Sequence, residues 1–154
     1  MINKIVIPAA GKGTRMLDLA KDKPKHLIDV HGDKPFLYYV LKNLQNAGFT
    51  EMILVIGNHA EKMVEFAEGL GKEFPLTLID QFTVMGTEKY GTAIPVLAAE
   101  EAVGDEQFVC MYGDNLYSVH DLKAMRNLDD EHHHINIIHS NTPDRYGVPI
   151  LEGD

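Results

Sequence analysis

The sequence contains one cysteine and no tryptophan, and its apolar runs are short. A single thiol, Cys110, excludes an internal disulfide framework and is typical of a protein of the reducing cytoplasm, where we expect this chain. Cys110 falls inside a predicted strand, which predicts a small buried core residue. Apolar runs such as MILVIG are far too short for a membrane span. The opening MINKIVIPAA carries one lysine before a brief apolar run, which predicts a first strand and not a signal peptide.

Positive charge is scarce as well. The chain has 14 Lys and Arg against 23 Asp and Glu, a net charge of −9, which argues against nucleic-acid binding. The cations are unevenly placed, since residues 1–25 carry +4 and the remainder carries −13. A local basic patch suits a small, highly charged anion. A solvated basic surface explains individual cations such as Lys4 and Lys21 equally well.

Alternating apolar and amphipathic segments predict the fold class. Strands are predicted at 4–10, 51–57, 76–80, 107–114 and 135–140, and helices at 35–48, 58–71, 91–104 and 118–128. The segment 146–151 reads as extended, at a sheet edge because of Pro149. Strands that are apolar throughout and separated by helices are typical of an α/β protein. We therefore predict one domain over 1–154, a three-layer, mostly parallel, Rossmann-like sheet with helices on both faces.

Residue types at segment ends predict where the helices start and stop. Pro35 opens and Gly48 closes the first helix, while Asn58 and Ser118 are expected as N-caps of the second and last. Pro95 falls in the first turn of the third, where its missing N–H costs little.

The loop GKGTRM after the first predicted strand is directed at phosphate. It fits neither the dinucleotide fingerprint, because Met16 replaces the third glycine, nor a Walker A loop, because Thr14 and not lysine follows Gly13. The N–H groups of Gly11, Gly13 and Thr14 can nonetheless form a nest around phosphate oxygens. Arg15 adds a planar fork for bidentate binding.

Other polar groups follow predicted strands. Because ligands of such sheets sit outside the carboxyl ends of the strands, the glycine loop, Gln81 and the GDN segment at 113–115 are expected to converge on one crevice. Lys25, stiffened by Pro24, adds an ammonium. Asp114 is well placed to hold a hard divalent cation, and a helix or turn cap is the alternative role for its carboxylate. A phosphate nest, cations and a cation-holding carboxylate are what nucleotidyl transfer requires, without a protein nucleophile.

The segment PAAGKGTRM followed by DKPKHLIDVHGDKPFLYYVL resembles the signature of sugar-phosphate nucleotidyltransferases, the nucleoside-diphosphate-sugar pyrophosphorylases. The likeness continues with the isolated Gln81, with GTA opening a helix, with YGDN and with RYGV. His26 and Asp29 depart from the pattern, because such proteins often have proline or a small or apolar residue there. The family's catalytic domains continue beyond the RYGV strand. The chain is therefore similar to the nucleotide-binding part and to an incomplete sugar-binding part, which indicates a possible truncation.

The resemblance implies the nucleotide-diphospho-sugar transferase fold and a reaction between a nucleoside triphosphate and a sugar 1-phosphate. The sugar phosphate attacks the α-phosphate, and a nucleotide sugar and pyrophosphate form. The resemblance implies catalytic roles for Arg15, Lys25 and Asp114, with Asp114 holding Mg²⁺. It assigns nucleotide binding to eight positions, Ala10, Gly11, Gly13, Thr14, Arg15, Gln81, Gly91 and Thr92. It assigns sugar binding to Tyr146 and Gly147.

Two alternatives stay open, and neither involves nucleic acid or a membrane. The acceptor can be phosphocholine or another small phosphomonoester. If the natural chain ends at Asp154, a nucleotide-binding module without catalysis is the other candidate. A homo-oligomer is compatible with all of these.

Overall fold

The computed structural model describes residues 1–13, 16, 22–89, 91–145 and 147–150. Within these ranges it contains six strands and six helices, with two short 3₁₀ turns at Lys25–Leu27 and Pro143–Arg145. The strands are β1 Lys4–Pro8, β2 Asp29–His31, β3 Lys34–Pro35, β4 Glu51–Ile56, β5 Leu76–Asp80 and β6 Phe108–Cys110. The helices are α1 Phe36–Ala47, α2 Ala60–Leu70, α3 Gln81–Met85, α4 Ile94–Ala98, α5 Glu100–Val103 and α6 Val119–Arg126.

A four-stranded parallel sheet forms the centre of the molecule, in the order β5-β4-β1-β6. Strand β1 pairs in parallel with both neighbours, so that Ile5 lies opposite Met52 of β4 and Val109 of β6. Strand β5 pairs in parallel with the other side of β4. All four carboxyl ends therefore point to the same edge of the sheet, as the predicted α/β class requires.

Successive residues of β1 and β4 face opposite sides, and both sides are covered. One face buries Ile5, Ile7 and Leu54 against helices α1, α2 and α6. The other buries Val6 and Val55 beneath α4 and α5. Burial on both faces explains why these strands are apolar throughout. The predicted three-layer arrangement is confirmed.

The ends of helix α1 follow the predicted signals. Pro35 is its N-cap, and Gly48 ends it with a left-handed φ of +95°, donating its N–H to the carbonyls of Leu44 and Gln45. The Ser118 side chain caps α6 by accepting from the N–H of Asp121 at 3.1 Å, again as predicted.

Helix α2 and the third predicted helix depart from expectation. Asn58 is not the N-cap of α2; His59 is, with a φ of +58° and no side-chain capping bond, because the Asn58 amide is engaged elsewhere. Pro95 does lie in the first turn of α4. The single helix predicted over 91–104 is broken at Ala99 into α4 and α5.

Two predicted extended segments are not strands. Residues 135–140 and 147–150 have no regular secondary structure. The β-branched run at 135–140 has strand propensity, but it pairs with no strand in the described ranges. The Ile135 and Ile138 side chains are left 79% and 83% exposed.

Two side chains differ in burial from expectation. Cys110 is exposed rather than buried. Its side chain lies on the face of the sheet that helix α4 covers. Helix α4 packs over β1 and β4, whereas β6 is an edge strand beyond that cover. Lys4 is not a solvated surface cation: its Nζ donates to the carbonyls of Ala102 and Val103 at the end of α5 and pairs with Glu106 at 2.8 Å. Lys21 lies outside the described residues.

Two short elements were not predicted. Strands β2 and β3 form an antiparallel hairpin whose two-residue turn places both Gly32 and Asp33 at positive φ. Helix α3 begins directly after β5 because Asp80 accepts a capping bond from the N–H of Phe82 at 2.9 Å. No helix in the described part of the chain is both long and apolar enough to cross a membrane.

Candidate active site

The loop after β1 is tied at its start to the end of β4. Ala9 donates its N–H to the Val55 carbonyl at 2.8 Å. The Ala10 carbonyl accepts from both the backbone N–H and the side-chain amide of Asn58, at 3.4 and 2.8 Å. Gly57 makes this approach possible, since a β-carbon there would lie 2.8 Å from the Ala10 Cβ. These contacts fix Ala10, the first predicted nucleotide-binding position.

The two loop glycines beyond Ala10 leave backbone accessible to a ligand. Gly11 is exposed and has nothing within 4 Å of where a side chain would begin. Gly13 has a φ of +66°, a conformation that favours glycine, and its carbonyl accepts from the N–H of Met16 at 2.9 Å. Thr14 and Arg15, which sequence analysis assigned to the phosphates, lie outside the described residues, and their roles stay predictions.

The turn that carries Asp114 lies beside the start of that loop. Beyond β6, Met111 donates to the Val6 carbonyl and Gly113 to the Pro8 carbonyl, both at 3.0 Å. The pairing of β1 with the β6 segment thus continues past the assigned strand end. Asp114, next to Gly113, is placed at the carboxyl edge of the sheet with its side chain 43% exposed.

Lys25 meets Asp114 at this edge. The 3₁₀ turn Lys25–Leu27 follows Pro24, and the Lys25 Nζ forms an ion pair with the Asp114 carboxylate. Partial burial acts to raise the pKa of Asp114, but the hydrogen bond and positive charge of Lys25 outweigh it and hold that pKa below its usual range. The residues predicted to bind the attacked phosphate and the cation are therefore in direct contact, 89 positions apart in sequence.

Beneath this pair lies His26, which sequence analysis noted only as a departure from the family pattern. Its side chain is fully buried, with 2% exposed. Burial, assisted by the positive charge of Lys25, lowers the pKa of His26 to about 4, although the Asp114 charge opposes the shift. The ring is consequently neutral at pH 7. It packs on Gly113, where a β-carbon would lie 3.2 Å from the His26 Cδ2.

The predicted nucleotide contacts at 91 and 92 reach the same edge. The Tyr112 hydroxyl donates to the Thr92 carbonyl at 3.2 Å, which links this segment to the turn preceding Asp114. Gly91 is exposed and has a φ of +132°. Gln81 is buried at the start of α3, after the strand at the opposite side of the sheet. Its helix contacts α4, which begins shortly after Thr92.

Of the two predicted sugar-binding residues, only Gly147 lies in the described part of the chain, and it does not join this cluster. Gly147 is exposed in the irregular segment 147–150. No hydrogen bond in the described ranges joins it to Lys25 or Asp114. Tyr146 lies outside the described residues, and its role stays a prediction.

A divalent cation fits this site only together with a ligand that brings its own oxygens. The described residues contain no group of three or more His, Cys, Asp or Glu side chains that could hold a metal ion. Asp114 offers one ionised carboxylate at the sheet edge. Mg²⁺ is commonly held by one or two carboxylates together with substrate phosphates. The donor set therefore suits a metal–triphosphate complex better than a metal ion alone.

Comparison with known proteins assigns the family. The profile of the family described as nucleotidyl transferase matches residues 4–153, nearly the whole chain. The chain belongs to the nucleotidyl transferase family. Enzymes of this family generally use a divalent metal. The resemblance stated from the glycine loop and the KPK segment is thus confirmed.

Two curated relatives illustrate the likeness. A putative UTP–glucose-1-phosphate uridylyltransferase of Methanocaldococcus jannaschii is 34% identical, over 81% of this chain and 50% of the relative. A probable glucose-1-phosphate cytidylyltransferase of Bacillus subtilis is 35% identical, over 75% and 52%. This nucleotidyl transferase chain spans about half the length of the curated relatives it matches.

A solved structure supports the fold. The UTP-bound UGPase of Acinetobacter baumannii superposes with a TM-score of 0.59 at 25% identity, covering 81% of this chain and 51% of that chain. The nucleotide-diphospho-sugar transferase type of sheet, predicted from the sequence, is confirmed for the part that the chain covers.

Proposed function

We propose that this nucleotidyl transferase chain forms the nucleotide-binding part of an enzyme that transfers a nucleoside monophosphate from a nucleoside triphosphate to a sugar 1-phosphate. The products are a nucleoside-diphosphate sugar and pyrophosphate. The observation that carries the proposal is the meeting of Lys25 and Asp114 beside the glycine loop, at the carboxyl ends of the adjacent strands β1 and β6. The relatives named for uridylyl and cytidylyl transfer to glucose 1-phosphate support the same reaction class.

The glycine loop would bind the triphosphate. The N–H groups of Gly11, Gly13 and Thr14 would donate to phosphate oxygens, and Arg15 would counter the charge that builds up in the transition state. The tie between Ala10 and Asn58 fixes one end of this loop, so little conformational entropy is lost there when the phosphates are bound.

Lys25 and Asp114 would part when substrates bind. In the structure each neutralises the other. In the complex the Lys25 ammonium would donate to the attacked α-phosphate, and the Asp114 carboxylate would hold Mg²⁺. Mg²⁺ bound there would neutralise phosphate oxygens and the departing pyrophosphate. The sugar phosphate oxygen then forms the new bond to the α-phosphorus as the bond to pyrophosphate breaks.

Gln81, Gly91 and Thr92 would contact the base, and Tyr146 and Gly147 the sugar. Thr92 is linked to Tyr112 at the sheet edge, which supports a contact by this part of the chain. The relatives differ in their named nucleotide, so all four ribonucleoside triphosphates belong in the test.

The test is a pair of measurements on the chain. Calorimetric titration with each triphosphate in the presence of Mg²⁺ measures binding, and a pyrophosphate-release assay with glucose 1-phosphate measures transfer. Binding with pyrophosphate release supports the proposal. Release with phosphocholine but not with glucose 1-phosphate would show that the acceptor is a small phosphomonoester and not a sugar 1-phosphate. Binding without release under any acceptor supports nucleotide binding by this chain without transfer. No binding of any triphosphate contradicts the proposal.

A further inference from the structure

Within the described ranges, one buried side-chain polar atom has no hydrogen-bond partner. The Nδ1 atom of His26 is inaccessible to solvent and makes no hydrogen bond with any described residue. Leaving a buried polar atom unpaired destabilises the folded protein, and leucine would fill comparable space without that penalty. Such an unsatisfied group calls for a physical reason.

The position of the His26 ring connects three parts of the site. The ring is carried by the 3₁₀ turn Lys25–Leu27 and packs on Gly113, where the ends of β1 and β6 meet. A β-carbon at Gly113 would lie 3.2 to 3.4 Å from the side chains of His26, Ile7 and Ala9. The ring therefore lies directly against the turn that carries Asp114.

The ring also lies close to the charged groups of Lys25 and Asp114. Lys25 and Asp114 are the charged groups that act on His26, and they oppose each other. A neutral imidazole has one N–H donor and one acceptor nitrogen, so it can serve either partner. While Lys25 and Asp114 are paired with each other, neither requires a hydrogen bond from His26. Once they separate to engage a triphosphate and its cation, Asp114 loses the ammonium that held it.

We propose that His26 is a positioning residue for Asp114. His26 holds the Gly113–Asp114 turn in place after the Lys25–Asp114 ion pair opens, and its Nδ1 gains a hydrogen-bond partner only in the ligand-bound state. The proposal rests on the proposed function. Carboxylates that bind metals are themselves fixed by hydrogen bonds from a surrounding layer of residues, and loss of such a bond typically weakens metal affinity by about 10–100-fold.

Substitutions at His26 separate packing from hydrogen bonding. His26→Leu fills the space without a polar atom, while His26→Asn places an amide near the Nδ1 position and His26→Gln places one near the Nε2 position. The readouts are the thermal midpoint of the ligand-free protein and the dissociation constant of UTP with and without Mg²⁺, measured by calorimetry. If another triphosphate binds the wild type more tightly, it replaces UTP. Ile7→Val, a packing change in the same contact, is the control.

For His26→Leu we expect an unchanged or higher thermal midpoint together with roughly tenfold or greater loss of UTP affinity in Mg²⁺. Metal-free UTP affinity should not change, because His26 acts through Asp114. His26→Asn should keep more of the Mg²⁺-dependent affinity than His26→Gln does. Ile7→Val should lower the thermal midpoint and leave both affinities as they are.

The outcomes distinguish this inference from the proposed function. A wild type that binds no triphosphate in Mg²⁺ overturns both. A wild type that binds, with His26→Leu binding equally well in Mg²⁺, overturns only the role of His26. If His26→Leu and His26→Asn lose affinity to the same extent, with and without Mg²⁺, the ring acts through packing alone and the inference is likewise overturned.

Discussion

Acid should destabilise the ligand-free protein through His26. Burial lowers the pKa of this side chain to about 4 in the folded protein, against 6.5 for an ordinary histidine. At a pH between these two pKa values, His26 is protonated in the unfolded chain and neutral in the folded protein. The free energy of unfolding must therefore fall as the pH falls from about 6.5 to about 4. Above pH 6.5 His26 is neutral in both the folded and the unfolded state, so it no longer makes the free energy of unfolding depend on pH.

The size of the effect follows from the separation of the two pKa values. A difference between about 4 and 6.5, at about 1.36 kcal/mol for each pH unit, corresponds to roughly 3 kcal/mol over the full window. That is a large share of the about 5–15 kcal/mol that stabilises a typical domain. Asp114 contributes at lower pH, because the hydrogen bond and charge of Lys25 hold its pKa below the usual range of a carboxyl group, and its stabilisation is lost only as that group is protonated.

Urea unfolding in EDTA, followed by circular dichroism at several pH values from 7.5 to 4.5, measures this directly. The wild type should lose stability steadily below about pH 6.5, and His26→Leu should lose markedly less, because leucine does not titrate. The difference between the two proteins is the quantity to compare, since it cancels the other titrating groups. Parallel curves for wild type and His26→Leu across the window would refute the buried, neutral imidazole.

Two further substitutions test contacts that hold the site and the fold. Gly57→Ala should destabilise the protein by about 1–3 kcal/mol and weaken triphosphate binding, because its β-carbon would meet Ala10 at 2.8 Å; calorimetry and urea unfolding check this, and Gly69→Ala, which meets nothing within 4 Å, should be harmless. Arg126→Lys should cost about 2 kcal/mol in urea unfolding, because the guanidinium donates three bonds of 2.6 to 2.9 Å that one ammonium cannot reproduce. The exposed Lys123→Ala is its control, and equal stability of the Arg126 and Lys123 variants would contradict the argument.

Where structure depends on local pattern, the sequence was sufficient. Apolar runs flanked by helices predicted the four parallel strands, and the signal is strongest in β1 and β4, which are covered on both faces. The helix that ends at Gly48 and the cap at Ser118 follow from backbone groups within one turn of each residue.

Where structure depends on a distant partner, prediction from sequence was wrong or incomplete. The run 135–140 has the composition of a strand, but composition does not supply a neighbour to pair with. Asn58 has the side chain of an N-cap, yet its amide is used 48 positions away on Ala10. One missed element did carry a local signal. Gly32 followed by Asp33 is a two-residue turn sequence that could have indicated the hairpin.

In the candidate site, too, some features follow from local sequence and others depend on distant partners. The order of strands and loops predicted that the glycine loop and Asp114 share one edge of the sheet. The ion pair of Lys25 with Asp114 and the burial of His26 beneath Gly113 join segments almost 90 residues apart. No periodicity or motif reports such contacts, so the role of His26 emerged only from the structure.

The most direct measurement of the central claim is the Mg²⁺ dependence of triphosphate binding in Asp114→Asn. The amide cannot hold a cation as a carboxylate does, and it frees Lys25 from its partner. Calorimetric titration of UTP should show binding strengthened by Mg²⁺ in the wild type and in Glu65→Gln, an exposed control on α2. In Asp114→Asn the strengthening by Mg²⁺ should disappear while metal-free binding persists. An Asp114→Asn protein whose binding still tightens with Mg²⁺ as in the wild type would contradict the account.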